Sequence, residues 1–384
     1  MRTACADDPG AFHGAIAKTE IHWLVDLPGG AGEAWLTAAP GESIWRGWDA
    51  TSLEPLSVDL GAGFEPWRRA FNADDPPHWR WFEGGRTNAC FNEVDRHVLA
   101  GHGDETAFIF EGDRWDGSLH GGRGGPVESQ AISRKQLLLE TAKAAIALRR
   151  LGLGAGDRVA FNMPNIPQQV YWTEGAKRLG ILYTAVFGGF ADKTLSDRIE
   201  DFGARVVITA DGGHRNAQII AFKSAFTDPA LDNFIAARTA LDAVAAETAR
   251  LSISADITRA INDAVAAAIA GETTLERADV MRGVGRALDA AGLASGEASL
   301  VRRRLAEALV NSPPRVDAVV VVQHATPPDM VWRPERDRWA HELTGEALAE
   351  IVAAARAAGF EVEDEQDLLA LPDADFVKAV WAAC

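Results

Sequence analysis

The sequence predicts an α/β fold, with a parallel, doubly wound-like sheet at its centre and an all-helical insertion behind it. Three observations predict it. Apolar, β-branched runs at 158–163, 181–187 and 205–210 alternate with helical stretches, glycine closes each helix, and the loops are short. Strand, helix, strand, helix, strand on such loops demands parallel pairing with right-handed crossovers.

Taken in order, Met1 to about Asp75 is rich in Trp, Gly and Pro, with short apolar pieces at Ile21–Val25 and Trp45–Trp48, and reads as an irregular N-terminal lobe. Pro76 to Gly103 sets Trp79, Trp81, Phe82 and Phe91 among polar residues, which predicts an ordered connection buried against the main domain. Ser133 and Gln136 form a capping box, and Leu137, Ala144, Leu148 and Leu151 recur at helical spacing until Gly152. Arg158–Met163 is a strand. Pro164–Pro167 turns into a helix that Gly180 stops, Ile181–Phe187 is the second strand, and Asp192 caps a helix to about Phe202. Arg205–Ala210 is the third strand. From Ala225 to Leu309, Ala, Leu, Arg and Glu dominate at helical periodicity, predicting three or four helices. Ser312–Pro314 ends them; Val316–Val322 returns as a strand, and Glu346–Ala358 and Asp373–Ala383 are helices. The chain therefore divides into an N-terminal lobe with its connection (1–103), an α/β part with parallel strands (104–224), the helical insertion (225–312), and a return strand with helices (313–384).

Composition narrows the function. A net charge of −17 gives no long-range attraction to nucleic acid or to an anionic membrane, so a phosphate-bearing ligand needs a local cationic spot. Small-molecule partners are favoured, with no nucleic acid and no membrane. No 18-residue apolar run occurs, and the N-terminus lacks a leader pattern. Cys5, Cys90 and Cys384 lie far apart, which suits reduced thiols and a cytoplasmic location.

The predicted topology brings three loops to one edge of the sheet: Pro164–Asn165, Gly188–Gly189 and Asp211–Asn216. In open α/β sheets that carboxyl edge binds ligands. In ADGGHRNAQ, Gly212 and Gly213 would let backbone approach a ligand, while His214 and Arg215 supply charge and donors; a solvated surface loop is the rival reading. In FGGF, Phe187 offers a face for a base beside Gly188 and Gly189, although such glycine pairs also merely relieve turns. HGGRGGP at His120–Pro126 lacks any nucleophile elbow or GK[ST] partner and reads as a surface turn. His97 and His102, near Asp95 and Asp104, fit no metal-ligand spacing, so no metal site is assigned. Glu335–Arg338 reads as a solvated mixed-charge face.

Four stretches, Asp8–Trp23, Trp81–His97, Gly156–Trp172 and Ala176–Gly213, resemble in the same order the acetyl-CoA and propionyl-CoA synthetases of the AMP-forming acyl-CoA synthetase family. The large helical insertion and Asp113–Val127 look most like the N-terminal part of the ligase portion of trifunctional propionyl-CoA synthase. The resemblance implies that family's N-terminal lobe and part of its large domain. It also implies activation of 3-hydroxypropionate, or propionate or acetate, through an acyl-adenylate. CoA, ATP and Mg2+ are then the ligands of the complete enzyme, and NADPH belongs only to a fused reductase part outside this chain. Carried over by position, Phe187, Gly188 and Gly189 match the segment beside the CoA adenine, and Arg215 matches an arginine on its nucleotide phosphate. Gln218 stands where the acetyl-CoA synthetases often have a second basic residue, with His214 or Lys223 as candidates to compensate.

One departure concerns catalysis. No TSGSTGKPKG-like phosphate loop occurs, and Lys135, Lys143, Lys177, Lys193 and Lys378 have no such loop beside them. No catalytic residue is therefore assigned, and the chain alone is expected to be a truncated, inactive piece that works with the remaining synthetase domains. Whether two copies pair is left open. The alternative is a non-catalytic binding or assembly module that docks other domains through the insertion.

Overall fold

The computed structural model describes residues 2–186, 198–199, 201–216, 218–223, 259, 303, 316, 318–327, 330, 332 and 337–384. Phe187, Gly188, Gly189, Lys193 and the start of the helix expected at Asp192 lie outside the described residues. So does the insertion at 225–312 apart from Arg259 and Arg303, and with it the docking role placed there.

The stretch expected to be irregular carries a sheet. After α1 (Arg2–Asp7) and α2 (Pro9–Glu20), strands β1 (Trp23–Asp26), β2 (Glu33–Thr37), β3 (Ile44–Asp49) and β4 (Pro55–Asp59) form a four-stranded antiparallel meander, followed by the hairpin β5 (Arg69–Asn72)–β6 (Arg80–Glu83). Tryptophan had masked the alternation, because indoles fill both the core and the surface. Trp23, Trp45 and Trp67 are buried around Ala34 and Leu36, while Trp79 and Trp81 of the expected buried connection stand exposed. Gly47 is required by close pairing, since a Cβ there would sit 1.8 Å from the Trp35 carbonyl oxygen.

A π-helical turn at Phe91–Asp95 leads into α3 (Arg96–Leu99). Phe91 stacks on Trp35 at 4.4 Å. Asp95 is buried and accepts both 2.8 Å bonds from Arg178 Nη2 and a 2.7 Å bond from Trp381 Nε1. Nearby, His102 meets Glu105 at 2.8 Å, and Asp104 lies 3.4 Å from Lys135.

Next come β7 (Thr106–Glu111), β8 (Trp115–Asp116), the exposed turn α4 (Leu119–Gly122), β9 (Gly125–Pro126) and β10 (Ser129–Ser133), with β10 antiparallel to β7 and β9 to β8. The central sheet contains β11 (Arg158–Asn162), β12 (Leu182–Ala185), β13 (Val206–Ala210), β16 (Ala318–Val322) and β17 (Asp337–Trp339) in the order β12-β11-β13-β16-β17, every pair parallel. The hairpin β14 (Gly213–Arg215)–β15 (Gln218–Ile220) lies between β13 and the return strand in sequence. Both faces of the sheet are covered, so its central strands are mostly apolar, with Asn162 and Thr209 buried near their carboxyl ends. Val159, Phe161, Val206, Ile208 and Val320 face one core, and Ala160, Val207, Val319 and Val321 the other.

Helix α5 (Arg134–Arg150) starts on the expected capping box: Ser133 Oγ accepts from Gln136 N at 3.1 Å, and Gln136 Oε1 accepts from Ser133 N at 3.0 Å. It is buried on most sides because it has neighbours on most sides, and Lys135, Thr141 and Lys143 are buried along with its apolar residues. Ala144 and Leu148 meet the sheet core, while Leu138, Ala142 and Ile146 meet α7 (Ala340–Ala357), α8 (Glu365–Ala370) and α9 (Asp373–Trp381). Helix α7 begins six residues before the expected Glu346, since Gly345 sits inside the helix at modest cost rather than ahead of it. Helix α6 (Pro167–Arg178) crosses α5 at Gly175, where a Cβ would lie 2.9 Å from both Ala144 Cβ and Ala145 N. Among the described residues no helix is long and apolar enough to cross a membrane.

Two outcomes follow. Gly175→Val forces α5 and α6 apart and lowers stability by about 1–3 kcal/mol in urea unfolding. His22 is the second case. Its ring lies 5.0 Å from Trp48, its Nδ1 is buried without a partner, and burial, aided by Arg96 and His97, pushes its imidazole from 6.5 down to about 4. The unfolded chain therefore binds the extra proton first, so stability falls as pH drops from 6.5 towards 4, by up to about 3 kcal/mol from this group. Urea midpoints measured across that window should decline less steeply in His22→Phe.

Candidate functional site

The carboxyl ends of β11, β13 and β16 share one edge because all three strands run parallel. Their exits converge on a cavity of about 310 Å3. Met163–Ile166 line it from the end of β11, His214 and Arg215 from β14, and His324 from the loop after β16. The wall from the β7–β10 ribbon contributes Phe110–Arg114 and Glu128. The expected meeting of the Pro164–Asn165 loop with the His214–Arg215 segment is thus observed.

Asp211 organises this edge. Its side chain is fully buried and accepts from the N–H groups of Gly212 (2.6 Å), His324 (2.8 Å) and Ala325 (3.0 Å) and from Thr326 Oγ1 (2.6 Å). Its own N–H donates to the Val322 carbonyl at 2.9 Å. One carboxylate therefore fixes the exit of β13 against the exit of β16, and with it the spacing of His214 and His324, whose rings meet edge to face at 5.9 Å.

The glycines beside it serve a different end from the one the sequence implied. A Cβ on Gly212 would lie 2.2 Å from the Ala325 carbonyl oxygen, and one on Gly213 would lie 2.9 Å from Pro164 Cβ. Both are small so that protein can approach protein. The segment expected as a loop is a hairpin, turned at Asn216 with φ 51°. Its register pairs Arg215 with Gln218, which explains the three-residue spacing: cross-strand partners lie side by side on one face. Arg215 is exposed and lines the cavity; Gln218 is exposed and is not part of the lining.

Lys223 is not available as a compensating cation. Its ammonium is wholly buried, 2.8 Å from the equally buried Asp337, so the run at 335–338 expected to be a solvated face turns one charge inward. Four of the other lysines singled out in the sequence are engaged too. Lys135 contacts Asp373 at 3.0 Å, Lys143 contacts Glu140 at 2.5 Å, Lys177 contacts Glu93 at 2.5 Å, and Lys378 contacts Glu54 at 2.5 Å. His214 remains in place as a partner for Arg215.

His324, Arg114 and Glu128 were missed as site residues, since each joins the cavity only through strand pairing that the local sequence does not announce. Burial lowers the His324 imidazole below its usual value; Glu128 and Asp211 oppose this, while His214 and Arg114 add to it. The cavity thus combines two guanidinium groups and two imidazoles with Glu111, Asp113 and Glu128. Such a mixed rim suits a ligand with both phosphate and heteroaromatic parts.

Residues 95–277 match the AMP-binding enzyme family, and residues 63–92 match the acetyl-coenzyme A synthetase N-terminus. These matches support the acyl-CoA synthetase family. The curated relatives are acetyl-coenzyme A synthetases. The Streptomyces avermitilis protein is 43% identical over 154 residues, 40% of this chain and 22% of the relative. That of Rhodopirellula baltica is 36% identical over 197 residues, 51% and 27%, and that of Campylobacter jejuni 36% over 178 residues, 46% and 24%. The matched part spans about a quarter of the length of these relatives.

Replacing Asp211 tests the organisation of the edge. Asp211→Ala strands three buried N–H groups and should cost about 3 kcal/mol in urea unfolding, whereas Asp211→Asn, which keeps one acceptor, should cost clearly less.

Proposed function

We propose that this chain supplies the coenzyme A side of an ATP-dependent, AMP-forming acyl-CoA ligase. In such an enzyme a carboxylate attacks ATP to give an acyl-adenylate and pyrophosphate; the CoA thiol then displaces AMP to give the thioester. Arg215 is assigned to a phosphate of the CoA nucleotide, with Gln218 beside it and Phe187, Gly188 and Gly189 along the adenine. The observation that carries the reading is the convergence of the Pro164–Asn165 turn and the His214–Arg215 hairpin on one cavity at the carboxyl edge of the sheet, in a chain similar to acetyl-CoA synthetases.

The acid we assign is 3-hydroxypropionate, ahead of propionate and acetate. The support is the propionyl-CoA synthase-like character of Asp113–Val127 and of the stretch at 225–312. Adenylation needs ATP, Mg2+ and a phosphate loop from the remaining synthetase domains. This chain's own part is to present the thiol carrier, through a charge-assisted contact worth roughly 1.5–3 kcal/mol at Arg215.

The experiment is direct. Arg215→Glu should weaken CoA binding to this chain by about tenfold to a hundredfold in calorimetry. In a synthetase that combines these residues with the adenylation loop, the same change should raise the CoA requirement and leave ATP–pyrophosphate exchange with 3-hydroxypropionate intact. Equal loss of both half-reactions contradicts the assignment, and exchange with none of the three acids contradicts the ligase reading itself.

A further inference from the structure

The hairpin that carries Arg215 offers a single guanidinium, because its cross-strand neighbour is the neutral Gln218. A di- or triphosphorylated ligand at a rim with carboxylates at Glu111, Asp113 and Glu128 needs a second one. We propose that Arg114, on the β7–β10 wall of the cavity, is that second phosphate-binding residue, occupying in space the role that position 218 leaves unfilled in sequence. The inference rests on the coenzyme A reading above and deepens it.

The geometry singles out Arg114 by its anchoring. It stands just past the end of β7, where two backbone bonds tie the ribbon together: Val127 N–H donates to the Arg114 carbonyl at 2.7 Å, and Gly112 N–H to the Glu128 carbonyl at 2.8 Å. Gly112 permits this closeness, since a Cβ there would lie 3.0 Å from Glu128 Cβ. The guanidinium is thus held on a paired neck of chain rather than at a loop tip. Its side chain is 45% exposed, and its charge acts on His324 across the cavity, as does that of Glu128.

The partner that Arg114 has now is a weak one. Nη2 donates to Glu128 Oε1 at 2.7 Å, with the carboxylate 39% exposed. An ion pair this open to water contributes little, whereas a phosphate ester offers several acceptors and at least one full charge. Glu128 therefore keeps the guanidinium turned along the rim until a phosphate replaces it. The exchange also sets a selectivity, because a neutral ligand gains nothing from displacing the carboxylate.

Calorimetry on the full 384-residue chain tests this with CoA, dephospho-CoA and inorganic phosphate as probes. Arg114→Gln should weaken CoA binding about tenfold, Glu128→Gln should tighten it severalfold, and Gln218→Arg added to Arg114→Gln should restore most of the loss. The restoration is a readout that damage to the ribbon would not give. A loss confined to CoA assigns the contact to the 3′-phosphate, and an equal loss for dephospho-CoA assigns it to the diphosphate; both support the proposal. Wild-type CoA affinity in Arg114→Gln, no rescue by Gln218→Arg, or inorganic phosphate matching CoA at Arg114 overturns it. Absence of CoA binding by the unaltered chain would instead strike the coenzyme A reading, and this inference with it.

Discussion

The arrangement at the sheet edge depends on one buried carboxylate. Parallel strands leave their carboxyl ends with N–H groups that no ladder satisfies, and at β13 and β16 Asp211 accepts three of these at once together with the Thr326 hydroxyl. No cation is needed for this, since aligned backbone dipoles stabilise the anion. The result is a rigid floor from which His214, Arg215 and His324 rise. Because Gly212 and Gly213 have no room for a side chain, the floor has little freedom to shift.

Electrostatics then works at two depths. The chain as a whole repels anions, while the cavity rim sets Arg114 and Arg215 among its carboxylates. Below the surface, charges are committed in pairs: Lys223 with Asp337 ties the hairpin's exit to β17, and Arg178 with Asp95 ties α6 to the π-helical turn. Such pairs hold elements in register, and removing one partner is far more harmful than replacing both. The separation matters for function. Among the described residues, Lys135, Lys143, Lys177, Lys223 and Lys378 are structural, and the cavity is lined by arginine and histidine.

The parallel core was legible because local signals agreed with tertiary structure. The capping box at Ser133 and Gln136, the glycine stops at Gly152 and Gly180, and the apolar, β-branched strand runs each named an element that exists. The N-terminal meander was not, since Trp-rich strands carry no clean two-residue alternation and Gly47 looks like a breaker while it serves strand pairing. Arg215 could be picked out from its segment alone. His324 and Arg114 could not: one follows a strand that pairs with β13 from more than a hundred residues away, and the other hangs on a ribbon whose partner, Glu128, lies across an exposed turn. The helix expected at Glu346–Ala358 starts earlier, at Ala340, because Gly345 is tolerated inside α7.

The Asp95 node has a consequence for how the molecule comes apart. Its carboxylate is shared by Arg178 from α6 and Trp381 from α9, while its neighbour Phe91 lies flat on Trp35 of the N-terminal meander. Peeling away α6 strands an ion in apolar surroundings, so that helix cannot loosen cheaply by itself, and losing α9 costs the carboxylate a donor. Crossover helix and π-helical turn are therefore held together by a buried pair, and dissolved salt, which readily loosens exposed pairs, has little hold on the bond that couples them.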